Sequence, residues 1–185
     1  MPFGFKQLSI PDVILVKSKK FEDDRGYFRE TYKKSSFLEA GIDDIFKQDN
    51  FSYSGQNVLR GLHFQTEPNA QGKLVRCLKG EIFDVAVDVR KGSPFYTKWV
   101  GKRLDEKNGH MLYIPEGFAH GFLVTGKEAF VSYKVTSEYS PENEVGIIWN
   151  DKEIGIDWPA EGKPTLSDRD SKLPRLAQIK NDFLF

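Results

Sequence analysis

The sequence predicts an all-β fold, a sandwich or barrel of short strands, and three observations carry that reading. Apolar or alternating runs of four to eight residues recur closely along the chain. Turn signals separate them, as at Lys79-Gly80, Lys91-Gly92-Ser93-Pro94 and Lys107-Asn108-Gly109. Aromatic residues make up 14%, with 15 Phe, which supplies large apolar groups for a β core.

Taken in order, the strand-like runs are Val13–Val16, Tyr27–Tyr32, Val58–Phe64, Lys73–Leu78, Ile82–Val89, Lys98–Lys102, Met111–Ile114, Gly121–Val124 and Phe130–Val135. One short helix is expected over Ser36–Ala40, with Ser35 or Ser36 as its cap and Gly41 as its stop. Ile82–Val89 has a two-residue period: Phe83, Val85, Val87 and Val89 share one face, and Ile82, Asp84, Ala86 and Asp88 the other. The second face is either half solvated or lines a polar cavity. Asp88, near the strand end, is expected to be solvated, while Asp84 is open. The last third carries Pro141, Pro159, Pro164 and Pro174 and is expected to fold back over the sheet as loops.

A chain of 185 residues fits one domain, here 1–185, with a sizeable buried core. Lys+Arg and Asp+Glu balance at 27 each, which argues against a general nucleic-acid or anionic-membrane binder. The single Cys77 excludes an intrachain disulfide framework and fits a reducing compartment. The opening MPFGFKQLSI is too polar for a signal peptide, and no apolar run is long enough to span a bilayer. A cytoplasmic protein is expected.

The most informative stretch is Gly109–His120, GHMLYIPEGFAH, with the spacing G-x5-P-x-G-x2-H. Pro115 and Gly117 turn the chain after a short strand and place His120 at the start of the next. Arg60–Gln65, RGLHFQ, supplies a second strand-borne histidine, His63; the third, His110, has no such context. A two-histidine metal site needs about three protein ligands. A first motif with an H-x-H pair would provide two, but here the sequence is His63-Phe64-Gln65 and the second donor is an amide, so no metal is expected. Without one, His63 serves as a general base, oriented by a carboxylate on its other nitrogen; Leu166–Asp170 offers Asp168 and Asp170. Lys73 and Arg60 are candidates for stabilising an oxyanion or holding phosphates. Tyr133 is a core phenol or a proton donor. In a regular strand Arg60 and His63 point to opposite faces, so the expectation is either an irregularity at Gly61 or an Arg60 that acts from the rim.

Together these segments resemble the dTDP-4-dehydrorhamnose 3,5-epimerase family of the cupin superfamily. The resemblance runs from about Pro11 to Pro174 through DRGYFRE (24–30), QDN (48–50), RGLHFQ (60–65), QGKLVR (71–76), DVAVD (84–88), PEGFAHGF (115–122) and LSDRD (166–170). It implies a jelly-roll (double-stranded β-helix) barrel, a homodimer, and no metal or organic cofactor. The implied substrate is dTDP-4-dehydro-6-deoxy-D-glucose, inverted at C3 and C5. It further implies that His63 is the base, Asp170 its orienting carboxylate, Lys73 the enolate stabiliser and Tyr133 the acid. Arg60, Arg25 and Arg169 match nucleotide contacts, and His120 a sugar contact; Glu30, Gln48, Asp49, Asn50 and Glu144 match further binding positions. Arg169 stands where Lys is common, with the charge kept. In such proteins Arg25 and Glu30 serve the partner's site. The rival expectations are a single-carbon epimerase or ketoisomerase, and a non-catalytic metal- or ligand-binding cupin.

Overall fold

The structure is a computed structural model and describes residues 2–180 and 183–185. Among the described residues eleven strands are present: β1 Phe3–Gln7, β2 Ile14–Ser18, β3 Lys20–Asp23, β4 Gly26–Arg29, β5 Gln48–Gly55, β6 Leu59–Gln65, β7 Lys73–Asp88, β8 Trp99–Asp105, β9 His110–Ile114, β10 Phe118–Val135 and β11 Glu144–Gly146. An α-helix, α1, spans Lys34–Glu39. It starts earlier than expected: Lys33 is the cap residue and no side chain caps it, so neither serine does so. Gly41, at φ 84°, stops it.

The architecture follows from the two long strands. β7 and β10 pair antiparallel along nearly their whole length, from Phe118↔Asp88 to Val135↔Lys73. The first part of β7 also pairs with β9 and its second part with β8. The second part of β10 pairs with β5 and its first part with β6. The strands therefore pass from one sheet, β1-β2-β9-β7-β10-β5, into another, β8-β7-β10-β6-β11. This two-sheet antiparallel arrangement is a jelly roll.

Lys79-Gly80 is consequently not a turn between two strands but a kink inside one. Gly80 has φ +80°, and a Cβ there would lie 1.8 Å from the Glu128 carbonyl oxygen. The ladder shifts register between Val124 and Ala129 opposite it. A glycine between two apolar runs reads as a turn, yet it equally permits a strand to bend between sheets.

Between the sheets lies a core that includes Leu15, Val75, Ile82, Ala86, Leu104, Leu112, Phe118, Phe122 and Val131. Behind the first sheet, α1 packs Phe37 onto Phe3, Val16, Leu74 and Met111. The last third folds back over the second sheet as expected, setting Ile147, Ile154 and Leu176 against Leu62, Phe64, Val85 and Val87. Asp88 corrects the expectation of a solvated end: it is fully buried. It accepts bonds from Arg90 at 2.7 Å and from Ser93 Oγ at 2.7 Å, partners that the turn after the strand brings back onto it. β3 and β4 form a separate two-stranded hairpin. Among the described residues, no helix is long and apolar enough to cross a membrane.

Candidate active site

The site begins with an irregularity in β6. His63 lies opposite His120, and Arg60 opposite Phe122, so three steps on β6 face two on β10. Gly61 absorbs the extra residue at φ +125°. A Cβ there would sit 2.5 Å from Gly121 Cα, so two glycines meet where the strands cross. The bulge anticipated at Gly61 therefore exists, and it turns Arg60 and His63 into one cavity.

That cavity, about 400 Å³, lies between the sheets. Its polar lining is Arg60, His63, Lys73, His120, Tyr133, Thr165, Ser167, Arg169 and Asp170, with an apolar flank of Val58, Leu59, Phe122 and Leu166. A smaller cavity of about 150 Å³ adjoins it, and His63, Lys73 and Tyr133 line both. Gln48, Asn50, Phe64, Gln65, Gln71, Tyr139 and Glu144 complete the second.

His63 Nε2 lies 2.8 Å from Asp170 Oδ1. Asp170, rather than the exposed Asp168, is the acid at this site. It sits in the 3-10 turn Asp170–Lys172 and accepts from Gly61 N–H through Oδ2 at 3.3 Å. Burial raises its pKa, but the bonds from His63, Gly61 and Ser167 outweigh it and hold the carboxyl below its usual range. A carboxylate on Nε2 keeps the proton there and leaves Nδ1 as the basic nitrogen.

Lys73 is buried and donates to the His63 carbonyl oxygen at 3.2 Å. Burial lowers its pKa to about 8, against the pull of Glu144 and Asp84. Tyr133 is half-buried; burial raises its pKa, partly offset by Arg60. His120 Nε2 lies 2.7 Å from Asp84 Oδ1, and burial lowers the pKa of the imidazole against the pull of that carboxylate. Arg169 Nη2 is 2.6 Å from Glu144 Oε2, which also accepts from Tyr139 Oη at 2.7 Å.

Three residues matched to binding positions lie elsewhere in this chain. Asp49 points away from the cavities that hold Gln48 and Asn50 and pairs with Lys134 at 2.7 Å, because neighbouring strand residues face opposite sides. Arg25 bonds Asp23 at the exposed tip of the β3–β4 hairpin. Glu30 follows β4 and lines neither cavity. Gln65, at the second position of the H-x-H pattern, is buried, and its amide bonds Asn69 O, Glu138 O and Ser140 N. Among the described residues no group of three His, Cys, Asp or Glu is placed to hold a metal. Sequence reasoning missed Tyr139 and Ser167; both lie in loops, where no periodicity marks a side chain as inward-facing.

A jelly roll whose interior holds a carboxylate-bound imidazole, a buried amine and a phenol defines a cupin equipped for proton transfer. The family model for dTDP-4-dehydrorhamnose 3,5-epimerase matches residues 7–178. The chain is 53% identical over 171 residues to the dTDP-4-dehydrorhamnose 3,5-epimerase of Salmonella typhimurium, covering 92% of this chain and 93% of that one. It superposes with a TM-score of 0.93 on the dTDP-6-deoxy-D-glucose-3,5-epimerase of Legionella pneumophila, solved with dTDP-4-keto-L-rhamnose. Identity there is 42%, over 96% of this chain and 95% of the other. A 3'-monoepimerase of Streptomyces bikiniensis, solved with dTDP-quinovose, gives a TM-score of 0.87 at 34% identity, covering 92% and 86%. The chain belongs to the dTDP-4-dehydrorhamnose 3,5-epimerase family.

Proposed function

We propose that this protein is an isomerase that converts dTDP-4-dehydro-6-deoxy-D-glucose to dTDP-4-dehydro-L-rhamnose, in dTDP-rhamnose biosynthesis, within one domain over 1–185. C3 and C5 both flank the C4 ketone, so their protons are acidified by the same carbonyl. Nδ1 of His63 removes each proton in turn, and Asp170 steadies the imidazolium that forms. The Lys73 ammonium stabilises the enolate oxygen. Tyr133 returns a proton to the other face, which inverts the carbon. Between the two inversions His63 gives its proton to solvent and Tyr133 regains one from it, so the steps balance with proton transfer alone, and no metal or organic cofactor takes part in this reading.

The observation that carries this reading is the junction where His63, Lys73 and Tyr133 line both cavities together. Arg60 and Arg169 at the rim suit the diphosphate. His120, Gln48, Asn50 and Glu144 offer hydrogen bonds to the sugar and thymine. The higher identity to the 3,5-epimerase than to the 3'-monoepimerase favours inversion at both carbons. In D2O, deuterium should enter C3 and C5 of the ketosugar as the L-product forms. Label at one carbon only supports the single-carbon epimerase; a folded enzyme giving no label refutes the assignment.

The active form is a homodimer in this reading. Tyr27 and Phe28 on the hairpin are 58% and 65% exposed, an apolar surface that a second copy would cover. Arg25 and Glu30 would then complete the partner's site. Arg25→Ala should weaken dTDP binding in a protein whose sedimentation gives twice the chain mass. A cytoplasmic setting suits the unpaired, buried Cys77.

A further inference from the structure

We infer that Gln65 is a positioning residue of this site: its side-chain amide clamps the loop that presents Tyr139 to the second cavity, and so sets the affinity for the nucleotide rather than the rate of the chemistry. The inference rests on the proposed function for the identity of the ligand, but not for its geometry.

The loop 137–140 follows β10 and has no regular structure. Among the described residues, the main-chain groups of Ser137, Glu138 and Tyr139 bond no other main chain. Glutamine side chains hold them instead, one residue after another. Gln71 Nε2 donates to Ser137 O at 2.6 Å. Gln65 Nε2 donates to Glu138 O at 3.1 Å, and Gln65 Oε1 accepts from Ser140 N–H at 2.9 Å. Gln48 Oε1 accepts from Tyr139 N–H at 2.9 Å. Gln65 therefore grips the chain on both sides of Tyr139.

The amide of Gln65 has no donor to spare. Its second N–H goes to Asn69 O at 2.6 Å, which ties the segment after β6 into the same clamp. An amide turned the other way would set its oxygen against two carbonyls, so the orientation is fixed. Gln65 is 3% exposed, and water does not compete for these bonds. Where an H-x-H pair would place a metal donor, this chain places a group used up on loop backbone. Tyr139 depends on that support. Its side chain is half exposed, so core packing does not fix it. Its Oη bonds Glu144 at 2.7 Å, and Glu144 in turn holds Arg169 at 2.6 Å, so the clamp reaches two further groups of the binding site. His63, Lys73 and Tyr133 stand on β6, β7 and β10, whose ladders hold them without the loop. Loosening the loop therefore weakens binding and spares proton transfer.

The test is dTDP binding by calorimetry in the full-length protein, beside kcat at saturating substrate. Gln65→Met keeps the length of the side chain and removes all three bonds, each worth roughly two- to tenfold in an equilibrium. Its Kd for dTDP should rise by at least about tenfold while kcat stays within about threefold of wild type. A Kd within about twofold of wild type in folded Gln65→Met overturns the inference. In ligand-free protein the Ser140 N–H, bonded to Gln65, should exchange with D2O at least about tenfold faster in that variant, and unchanged exchange also overturns it. If Gln65→Met does not fold, Gln65→Glu decides. Protonated, its carboxyl can still donate to one of the two carbonyls; ionised, it sets a charge against both. The ratio of its Kd to the wild-type Kd should rise at least about tenfold from about pH 5 to about pH 8, and a flat ratio overturns the inference. None of these readouts needs turnover, so wild-type protein that binds dTDP but exchanges no substrate proton defeats the proposed activity alone.

Discussion

Replacing Asp170 with Asn keeps the shape of the side chain and removes its charge. The consequences can be worked from the structure. Both carboxylate oxygens act as acceptors, Oδ1 from His63 Nε2 and Oδ2 from Gly61 N–H. An amide has one oxygen, so its NH2 must face one of those two donors. If it faces His63, the imidazole proton is driven to Nδ1 and the basic nitrogen is lost. If it faces Gly61, the bond to His63 survives without its charge. A charge-assisted bond contributes about 1.5–3 kcal/mol. The full attraction between carboxylate and imidazolium at ~4 Å and an effective dielectric of about 20 is about 4 kcal/mol. At about 1.4 kcal/mol per decade, kcat should fall roughly 10- to 1,000-fold. The assay is solvent-deuterium entry at C3 and C5, followed by proton NMR, with dTDP affinity measured alongside. Exchange within about twofold of wild type in a folded Asp170→Asn protein would refute the role of the carboxylate, since 1.5 kcal/mol already demands about tenfold.

Tyr133→Phe should still admit deuterium from the His63 side but yield almost no inverted sugar, which comparison of exchange with product formation checks. Lys73→Met should lower kcat by roughly 100- to 1,000-fold, the usual loss when one oxyanion donor is removed, with dTDP binding retained by calorimetry. The active form of Lys73 is the protonated one and its midpoint is about 8, so kcat should decline as pH rises through 8; a flat profile to pH 9.5 contradicts that role. Gly61→Ala would drive a Cβ to within 2.5 Å of Gly121 Cα at a φ that L side chains rarely adopt. A loss of at least about 1–3 kcal/mol follows, read as a fall in Tm of roughly 2–4 °C per kcal/mol.

Legibility in the sequence followed which residues face inward. β6 through β10 were visible because apolar groups alternate or run together there, although Gly80 concealed that two expected strands are the single β7, and the expected strands Gly121–Val124 and Phe130–Val135 are likewise the single β10. β5 was not visible: its cavity side carries Gln48, Asn50, Ser52 and Ser54, while Phe51 and Tyr53 are 62% and 55% exposed. A strand that lines a polar cavity inverts the usual pattern, so hydrophobic periodicity passes over it. β11 has only three residues, too few to show a period.

By itself the sequence determined the β class, the glycine that had to break the Arg60–His63 alternation, and the residue types able to move a proton beside a ketone. Those follow from local stereochemistry and from the chemistry of single side chains. Tertiary structure alone decided which acid serves which base. Asp170 reaches His63 across 107 positions and Asp84 reaches His120 across 36. Pairing of β7 with β10 brings Asp84 to His120, and the fold-back of the last third brings Asp170 to His63, each within 3 Å, and no spacing along the chain encodes those distances.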